Sequence, residues 1–143
     1  MNLPHNYVAN SNIQPEGSVS INADGLQEII SEPPAAFGGS GNHWSPEDLL
    51  VAAVSDCFVL SFKAIAAASK FTWTDLKCEV DGTLDKVDRA IQFTGFTVKA
   101  TLTIPADADA DRAKRLLEKA EQACFITNSL KASPHLEAEI VQG

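Results

Sequence analysis

The chain contains three cysteines, Cys57, Cys78 and Cys124, whose thiols are its most promising groups for covalent chemistry. The thiolate is the reactive form, so a reactive cysteine needs surroundings that lower its pKa. Cys57 is expected in the middle of a helix, where the helix dipole gives little help. If Cys57 is reactive, a cation must come from elsewhere; otherwise Cys57 is a small apolar filler of the core.

The other two cysteines have different sequence contexts. Cys124 follows an amphipathic segment and precedes a polar turn, where a sulfur can lie near the surface. Cys78 stands between Lys77 and Glu79 in a predicted strand, so by alternation it points inward and is interpreted as structural. An odd number of cysteines without an export signal does not suggest a disulfide framework. Any disulfide is expected to form and break during use.

The three histidines do not indicate a second kind of site. His5, His43 and His135 have no spacing with the cysteines that suggests zinc ligation. His43 precedes a predicted helix and could line a site, although a histidine in a loop is more often simply solvated. We therefore expect no metal and no other cofactor.

A long helix is predicted to carry Cys57. Its start is marked by Ser45 as the cap, Pro46 at the first helical position, and two acidic residues near the positive end of the dipole. Residues 49–69 are apolar on nearly every side, with Asp56 and Lys63 as the charges among them. A helix that is apolar all round must be buried, here by a sheet on one side and, we expect, by another subunit on the other.

Strand patterns occur on both sides of this helix. The predicted strands are residues 7–12, 18–21, 26–30, 71–83, 91–104 and 136–141. Residues 84–90 are predicted to be a polar connection, an amphipathic helix is predicted to begin at Pro105, and residues 127–130 could form a helical turn. The order of strands, long helix, strands, helix and strand predicts an α+β fold rather than a βαβ arrangement.

Length and charge limit the class of protein. The 143 residues, of which 45% are hydrophobic and 21% charged, fit one domain spanning 1–143. A net charge of -8 argues against nucleic acid as a partner, because a phosphate backbone selects basic surfaces. The N-terminus lacks a secretory signal and no later stretch is expected to reach the length of a membrane span. We expect a cytoplasmic protein without a membrane partner.

Four short motifs occur in order along the chain. They are Phe-Gly-Gly-Ser-Gly at 37–41, Ser-Pro-Glu-Asp-Leu-Leu-Val-Ala-Ala at 45–53, Asp-Cys-Phe at 56–58 and Cys-Phe-Ile-Thr-Asn-Ser-Leu at 124–130. Together they resemble the OsmC/Ohr family, with its glycine loop, its helix bearing a first cysteine, and its second cysteine before an Asn-Ser-Leu segment. The resemblance extends from about Ile29 onward.

This resemblance implies a fold and a chemistry. The fold would be an OsmC-like α+β intertwined homodimer, with antiparallel sheets packed around long central helices that carry the cysteine. Cys57 would be the thiolate that attacks an organic hydroperoxide, and Cys124 would resolve the sulfenic acid by forming a disulfide. Glu47 would orient a catalytic arginine, and a lipoyl group or another dithiol would regenerate the enzyme.

One feature departs from the family pattern. Family members commonly carry the arginine in the N-terminal strands, but this chain has no Lys or Arg before Lys63. Arg89, between the two long strands, is the best substitute; Arg112 and Arg115 are expected on the solvent face of a helix. The simpler interpretation of Arg89 is a solvated loop charge.

Glu47 also has two interpretations. A glutamate in the first turn complements the helix dipole without any further role. At about 1.5 Å per residue, Glu47 and Cys57 lie about 15 Å apart along one straight helix. A catalytic Glu47 would therefore serve the partner subunit's Cys57, or would reach its own Cys57 through an intervening side chain or loop.

Two alternatives to an enzyme remain. The missing N-terminal arginine favours an OsmC-like module that binds an apolar or thiol-reactive small molecule without efficient peroxidase turnover. A purely structural dimer would make the two cysteine motifs a coincidence. Loss of two thiols per chain on treatment with one equivalent of organic hydroperoxide would distinguish the enzyme from the binder.

Overall fold

Short β-strands precede the long helix, as the sequence predicts. The computed structural model describes residues 2–143, and its first compact unit ends at Leu50. Within this unit, β1 (Asn10–Asn12), β2 (Val19–Asn22) and β3 (Ile29–Ser31) form an antiparallel sheet in the order β1-β2-β3. The predicted meander is confirmed, although each strand is displaced by a few residues or shortened.

The glycine loop after β3 is held by one carboxylate. Glu32 accepts hydrogen bonds from the backbone N–H and the hydroxyl of Ser40, at 3.1 and 2.6 Å, and from the Ser18 hydroxyl at 2.9 Å. The Ser40 hydroxyl, its amide and the Ser18 hydroxyl lower the pKa of Glu32 to about 2. A Cβ atom at Gly39 would lie 1.8 Å from the Pro33 carbonyl oxygen, so the loop requires glycine there.

The long helix begins where the sequence predicts. The first helix, α1, spans Pro46–Ala68, and Ser45 precedes it as the cap. The Ser45 hydroxyl accepts a hydrogen bond from the Asp48 amide at 3.0 Å, while the Asp48 carboxylate accepts from the Ser45 amide at 3.1 Å. This reciprocal pair satisfies two backbone donors that a helix start would leave unpaired.

The second compact unit, Val51–Gly143, contains most of α1. The fully buried side chains of the helix form one stripe, at Val54, Phe58, Phe62 and Ala66. This four-residue spacing places them on one helix face. Other apolar side chains of the same helix are exposed to solvent; Leu60, for example, has 57% of its surface exposed. The chain therefore buries one side of a helix that is apolar on several.

The expectation that no stretch reaches the length of a membrane span is wrong. By length and composition alone α1 could cross a membrane. The helix has 23 residues, and its most apolar stretch of 18 residues has a mean hydropathy of 1.9, with 22% of that stretch buried. Residues 49–69 contain only two charges, Asp56 and Lys63, and these leave the mean hydropathy of the helix high. A core helix can have the same length and composition, so these properties alone do not indicate a membrane span.

A long hairpin follows α1. Its strands are β4 (Asp75–Val87) and β5 (Ala90–Ile104), joined by Asp88 and Arg89 with φ angles of 49° and 71°. Two positive φ angles are typical of the tight turn whose twist matches antiparallel strands. The predicted loop at 84–90 is therefore mostly strand, because exposed polar residues can still pair their backbones in a hairpin.

The last strand is parallel to β5. The chain leaves β5, passes through α2 (Ala110–Ala123) and α3 (Phe125–Asn128), and returns as β6 (Pro134–Gln142) in a sheet of order β4-β5-β6. The pairing of β5 with β6 is parallel. The α+β class is confirmed, but the expectation of purely antiparallel sheets without a βαβ unit is wrong. A helical crossover returns the chain to the same end of the sheet, which makes the next strand parallel.

The helix α2 provides this crossover. It begins at Ala110, capped by the Asp109 carboxylate, and not at Pro105 as predicted. Its buried side chains are Ala113, Leu116, Leu117 and Ala120, and the helix contacts β5 and β6. Alternate residues of β5 from Phe96 to Ile104 are buried as well. These apolar faces and the α1 stripe form the core that fixes Cys57 and Cys124.

Candidate active site

Cys57 lines an apolar groove on α1. The groove has a volume of about 500 Å³ and is lined by Ala53, Asp56, Cys57, Leu60, Ser61, Ala64, Ile65, Ala123, Phe125 and Ile126. The residues from α1 recur every three or four positions, which places them along one side of the helix. The segment after α2 supplies the opposite wall, and its Phe125 is 67% exposed.

The fold brings Cys57 and Cys124 together. Cys57 is half-buried on α1, whereas Cys124 is 1% exposed at the junction of α2 and α3. The Cys124 thiol donates a hydrogen bond to the sulfur of Cys57. Both cysteines are free thiols. Two free thiols that lie side by side are the groups from which a disulfide can form.

The surroundings of Cys57 lower the pKa of its thiol. Burial by itself raises that pKa, but hydrogen bonds from the backbone N–H of Ile126, from the Cys124 thiol, from the Ser61 hydroxyl and from the Phe125 N–H outweigh it. Each of these donors stabilises the thiolate over the thiol. In this chain the groups that lower the pKa of Cys57 are backbone amides and neutral side chains, and not the cation that the sequence predicted.

The surroundings of Cys124 act in the opposite direction. Burial raises the pKa of the Cys124 thiol, and the hydrogen bond to Cys57 and the charge of a Cys57 thiolate raise it further. Hydrogen bonds from Thr127 lower it but do not compensate. Of the two neighbouring thiols, Cys57 is thus the one whose pKa favours ionisation at the lower pH.

The third cysteine lies elsewhere. Cys78 is half-buried on β4, where burial raises the pKa of its thiol and the Ser55 side chain lowers it by a hydrogen bond. Cys78 does not line the groove that contains Cys57. This placement agrees with its interpretation as a structural residue.

Glu47 is not the residue that caps α1, since that reciprocal pair is formed by Ser45 and Asp48. The Oε1 atom of Glu47 is nevertheless buried, and it has no hydrogen-bond partner among residues 2–143. A buried carboxylate oxygen without a donor is costly, so this atom is a candidate to accept a hydrogen bond from a further group. Glu47 lies in the first turn of α1, so its interpretation as a complement to the helix dipole stands; its catalytic role stays a prediction.

The arginines have distinct positions. Arg89 lies in the two-residue turn between β4 and β5, is exposed, and does not line the groove of Cys57 in its own chain. Arg112 donates a hydrogen bond to the Ser69 carbonyl oxygen and stacks over the Phe71 ring at 5.5 Å. Arg115 is exposed. In the part of the chain that the structure describes, the groove is lined by no Lys or Arg.

Four contributors to the site were missed by the sequence analysis: two backbone N–H groups and two side chains. The N–H groups of Phe125 and Ile126 have no side-chain signature, although the helical turn is at Phe125–Asn128, two residues before the predicted one. Asp56 and Ser61 could have been found, because they lie one residue before and one helical turn after Cys57. Across residues 2–143, no cluster of three or more potential metal ligands occurs.

Comparison with known proteins gives a consistent result. A family model described as OsmC-like protein matches residues 39–139, a span that includes Glu47, Cys57 and Cys124. Peroxiredoxin OsmC of Escherichia coli (strain K12) is 29% identical over 117 residues, which are 78% of this chain and 80% of the relative.

Solved structures share the fold. An OsmC-like protein of unknown function from Vibrio cholerae superposes with a TM-score of 0.86 at 18% identity, covering 94% of this chain and 99% of that one. An organic hydroperoxide resistance protein OsmC from Legionella pneumophila gives a TM-score of 0.76 at 20% identity, covering 98% and 99%. At these identities the likeness concerns the fold.

Proposed function

Because the chain belongs to the OsmC family, we propose that it is a cysteine peroxidase that reduces organic hydroperoxides through Cys57, with Cys124 as the resolving thiol. Family membership and the peroxiredoxin relative support a redox function toward peroxides. The observation that carries the proposal is that Cys57 lines a groove whose opposite wall contains Ala123 and Phe125, the two residues on either side of Cys124. The pKa of Cys57 is lowered and that of Cys124 is raised.

The proposed reaction has three steps. The Cys57 thiolate attacks the terminal oxygen of the hydroperoxide, the O–O bond breaks, and the alkoxide takes a proton to leave as an alcohol. Cys57 is now a sulfenic acid. The Cys124 sulfur then attacks the Cys57 sulfur, an S–S bond forms, and the hydroxide leaves as water after taking the Cys124 proton. A dithiol of the lipoyl type, or another, reduces the disulfide and is itself oxidised.

The groove supports an organic substrate. Seven of its lining residues are alanine, leucine, isoleucine or phenylalanine, and they lie next to the Cys57 sulfur. Apolar walls favour binding of the alkyl or aryl part of a hydroperoxide, because that part leaves water on binding. Hydrogen peroxide has no such part and gains nothing from these walls.

The proposal includes a homodimer. One side of α1 is buried by the chain itself, while Leu60 and other apolar residues on the same helix are exposed. A second copy of α1 would cover them and would remove apolar surface from water. In such a dimer Glu47 would orient an arginine near the partner subunit's Cys57, and Arg89 is the candidate for that arginine. We place the protein in the cytoplasm, where dithiol reductants are available.

One experiment tests the peroxidase proposal. The reduced protein is treated with one equivalent of cumene hydroperoxide, and free thiols are counted. We expect two thiols to disappear per chain, with a Cys57–Cys124 disulfide found by peptide mass spectrometry. The Cys124→Ser variant should instead retain a Cys57 sulfenic acid that dimedone traps, and Cys78→Ser should behave as the wild type. Full turnover by Cys57→Ser would refute the proposal.

The second candidate is a binding module without efficient turnover. It is favoured by one observation: no Lys or Arg lines the groove of Cys57 within the described residues of one chain. In that case the apolar groove would take up a small molecule, and the thiol count after hydroperoxide would not change. The same experiment therefore decides between the two functions.

A further inference from the structure

The groove contains a hydroxyl group beside the reactive sulfur. Ser61 follows Cys57 by one helical turn, so the two side chains lie above one another on the same face of α1. The Ser61 Oγ atom is 4.0 Å from the Cys57 Sγ atom. Both residues line the groove, and both are half-buried. A substrate that reaches the Cys57 sulfur through this groove therefore meets the Ser61 hydroxyl as well.

The lining of the groove makes this hydroxyl unusual. Among the described residues that line it, Ser61 is the one with a side-chain hydroxyl, and no lining residue is Lys or Arg. The charged residue among those that line the groove is Asp56, which is acidic and supplies no cation to the sulfur. Sulfur in the thiolate form accepts hydrogen bonds, whereas an aliphatic wall stabilises the neutral thiol.

We propose that Ser61 is a catalytic residue whose hydroxyl donates a hydrogen bond to the Cys57 thiolate and so replaces, in part, a cationic side chain. This inference deepens the proposed function and rests on Cys57 being the attacking thiol. The hydroxyl holds its own proton throughout: it donates to the thiolate before attack and is released when the sulfur becomes a neutral sulfenic acid. The lowered pKa of Cys57, to which Ser61 contributes, agrees with this role.

The role predicts a particular pH profile. A donor to the thiolate increases the thiolate fraction below the pKa but slightly reduces the nucleophilicity of each thiolate. Loss of the donor should therefore slow the reaction with hydroperoxide at low pH and leave the rate at high pH equal or slightly higher. A serine that merely hydrogen-bonds the backbone carbonyl one turn before it would leave the profile unchanged.

The test measures thiol reactivity residue by residue. The full-length reduced protein is alkylated with iodoacetamide across a pH series, and modification of each cysteine is followed by peptide mass spectrometry. In Ser61→Ala the midpoint for Cys57 should rise by about half a pH unit, equivalent to about a threefold loss of thiolate below the midpoint. Ser61→Thr keeps a hydroxyl and should restore the wild-type midpoint.

The control lies on the same helix. Ser55 hydrogen-bonds Cys78, so Ser55→Ala should move the midpoint of Cys78 and leave that of Cys57 in place. Equal Cys57 midpoints in wild type and Ser61→Ala, or failure of Ser61→Thr to restore the midpoint, would overturn the assignment of Ser61. An unfolded variant would be recognised because its Cys78 and Cys124 midpoints would fall to that of a free cysteine.

This readout is independent of turnover. If the wild-type protein consumes no hydroperoxide, the peroxidase proposal fails, whereas the alkylation midpoints still report whether Ser61 stabilises the thiolate. If the wild type turns over and Ser61→Ala has the same pH profile, the role of Ser61 fails and the peroxidase proposal stands.

Discussion

The Cys124 thiol donates a hydrogen bond to Cys57, although Cys57 lies within α1 and Cys124 lies far along the chain, at the junction of α2 and α3. The contact depends on the crossover through α2, which returns the chain to the wall of the groove on α1. The contact also gives the two thiols different pKa values. The Cys124 proton stabilises a Cys57 thiolate, so the contact lowers the pKa of Cys57 and raises that of Cys124.

The three cysteines should ionise in a fixed order. The pKa of Cys57 is lowered, while those of Cys78 and Cys124 are raised, so Cys57 should be alkylated at a lower pH than either. Because the thiolate is the attacking form, peroxide consumption should fall as the pH drops through the Cys57 pKa and should level off above it. The rate of the first turnover of the reduced protein, measured by stopped flow over a range of pH, tests this prediction. A midpoint of the pH–rate profile at or above the pKa of free cysteine would contradict it.

Asp56 should set a preference among hydroperoxides. Its carboxylate lies in the groove without a neighbouring cation there, so it repels substrates that carry a carboxylate of their own. In Asp56→Asn the ratio of kcat/KM for a fatty-acid hydroperoxide to that for cumene hydroperoxide should rise by about threefold at low salt. The gain should shrink in high salt because ions screen exposed charges.

The control for this prediction is Asp107→Asn, which removes an equal charge from an exposed position outside the groove. A ratio that changes as much in this variant would mean that net charge, and not the position of Asp56, determines the preference.

Substitutions of Glu47 and Asp48 should have different effects, the first on activity and the second on stability. Asp48 exchanges hydrogen bonds with Ser45 at the helix start, so Asp48→Asn should reduce the free energy of unfolding by about 1 kcal/mol. Glu47 has a buried oxygen without a partner in residues 2–143, so Glu47→Gln should lower kcat/KM by about tenfold or more with little loss of stability. Urea denaturation and steady-state kinetics measure the two effects.

Arg89 belongs to the same comparison. If it supplies the guanidinium that Glu47 orients, Arg89→Ala should lower kcat/KM to a similar extent, and the double variant with Glu47→Gln should be no worse than either single one. Additive losses would separate the two residues, and an unchanged rate in Arg89→Ala would return this arginine to its simpler interpretation as a solvated turn charge.

Arg112 should act on stability and not on catalysis. Its guanidinium joins α2 to the end of α1 through the Ser69 carbonyl and covers the Phe71 ring. Arg112→Ala should therefore reduce the free energy of unfolding by about 1–2 kcal/mol. Arg115→Ala, one helical turn further along the exposed surface, is the matched control and should change it by less than about 0.5 kcal/mol. Equal losses would contradict a specific role for Arg112.

Sequence alone determined the features that depend on neighbouring residues. Ser45 and Pro46 fixed the start of α1, alternation and helical spacing gave the element types, and the order of four motifs identified the family that the comparisons confirm. Capping and periodicity depend on residues close together in the chain, and motif order is visible in the sequence itself. All three can therefore be recognised without knowledge of the fold.

Only the tertiary structure decided which groups surround Cys57. The amides of Phe125 and Ile126, the groove wall beside Ser61, and the parallel return of β6 depend on how α2 packs on the sheet. A backbone N–H has no signature in the amino-acid sequence, because every residue except proline carries one. A side chain is the only kind of thiolate donor that the sequence can indicate, whereas the backbone donors beside Cys57 meet it only once α3 packs against α1.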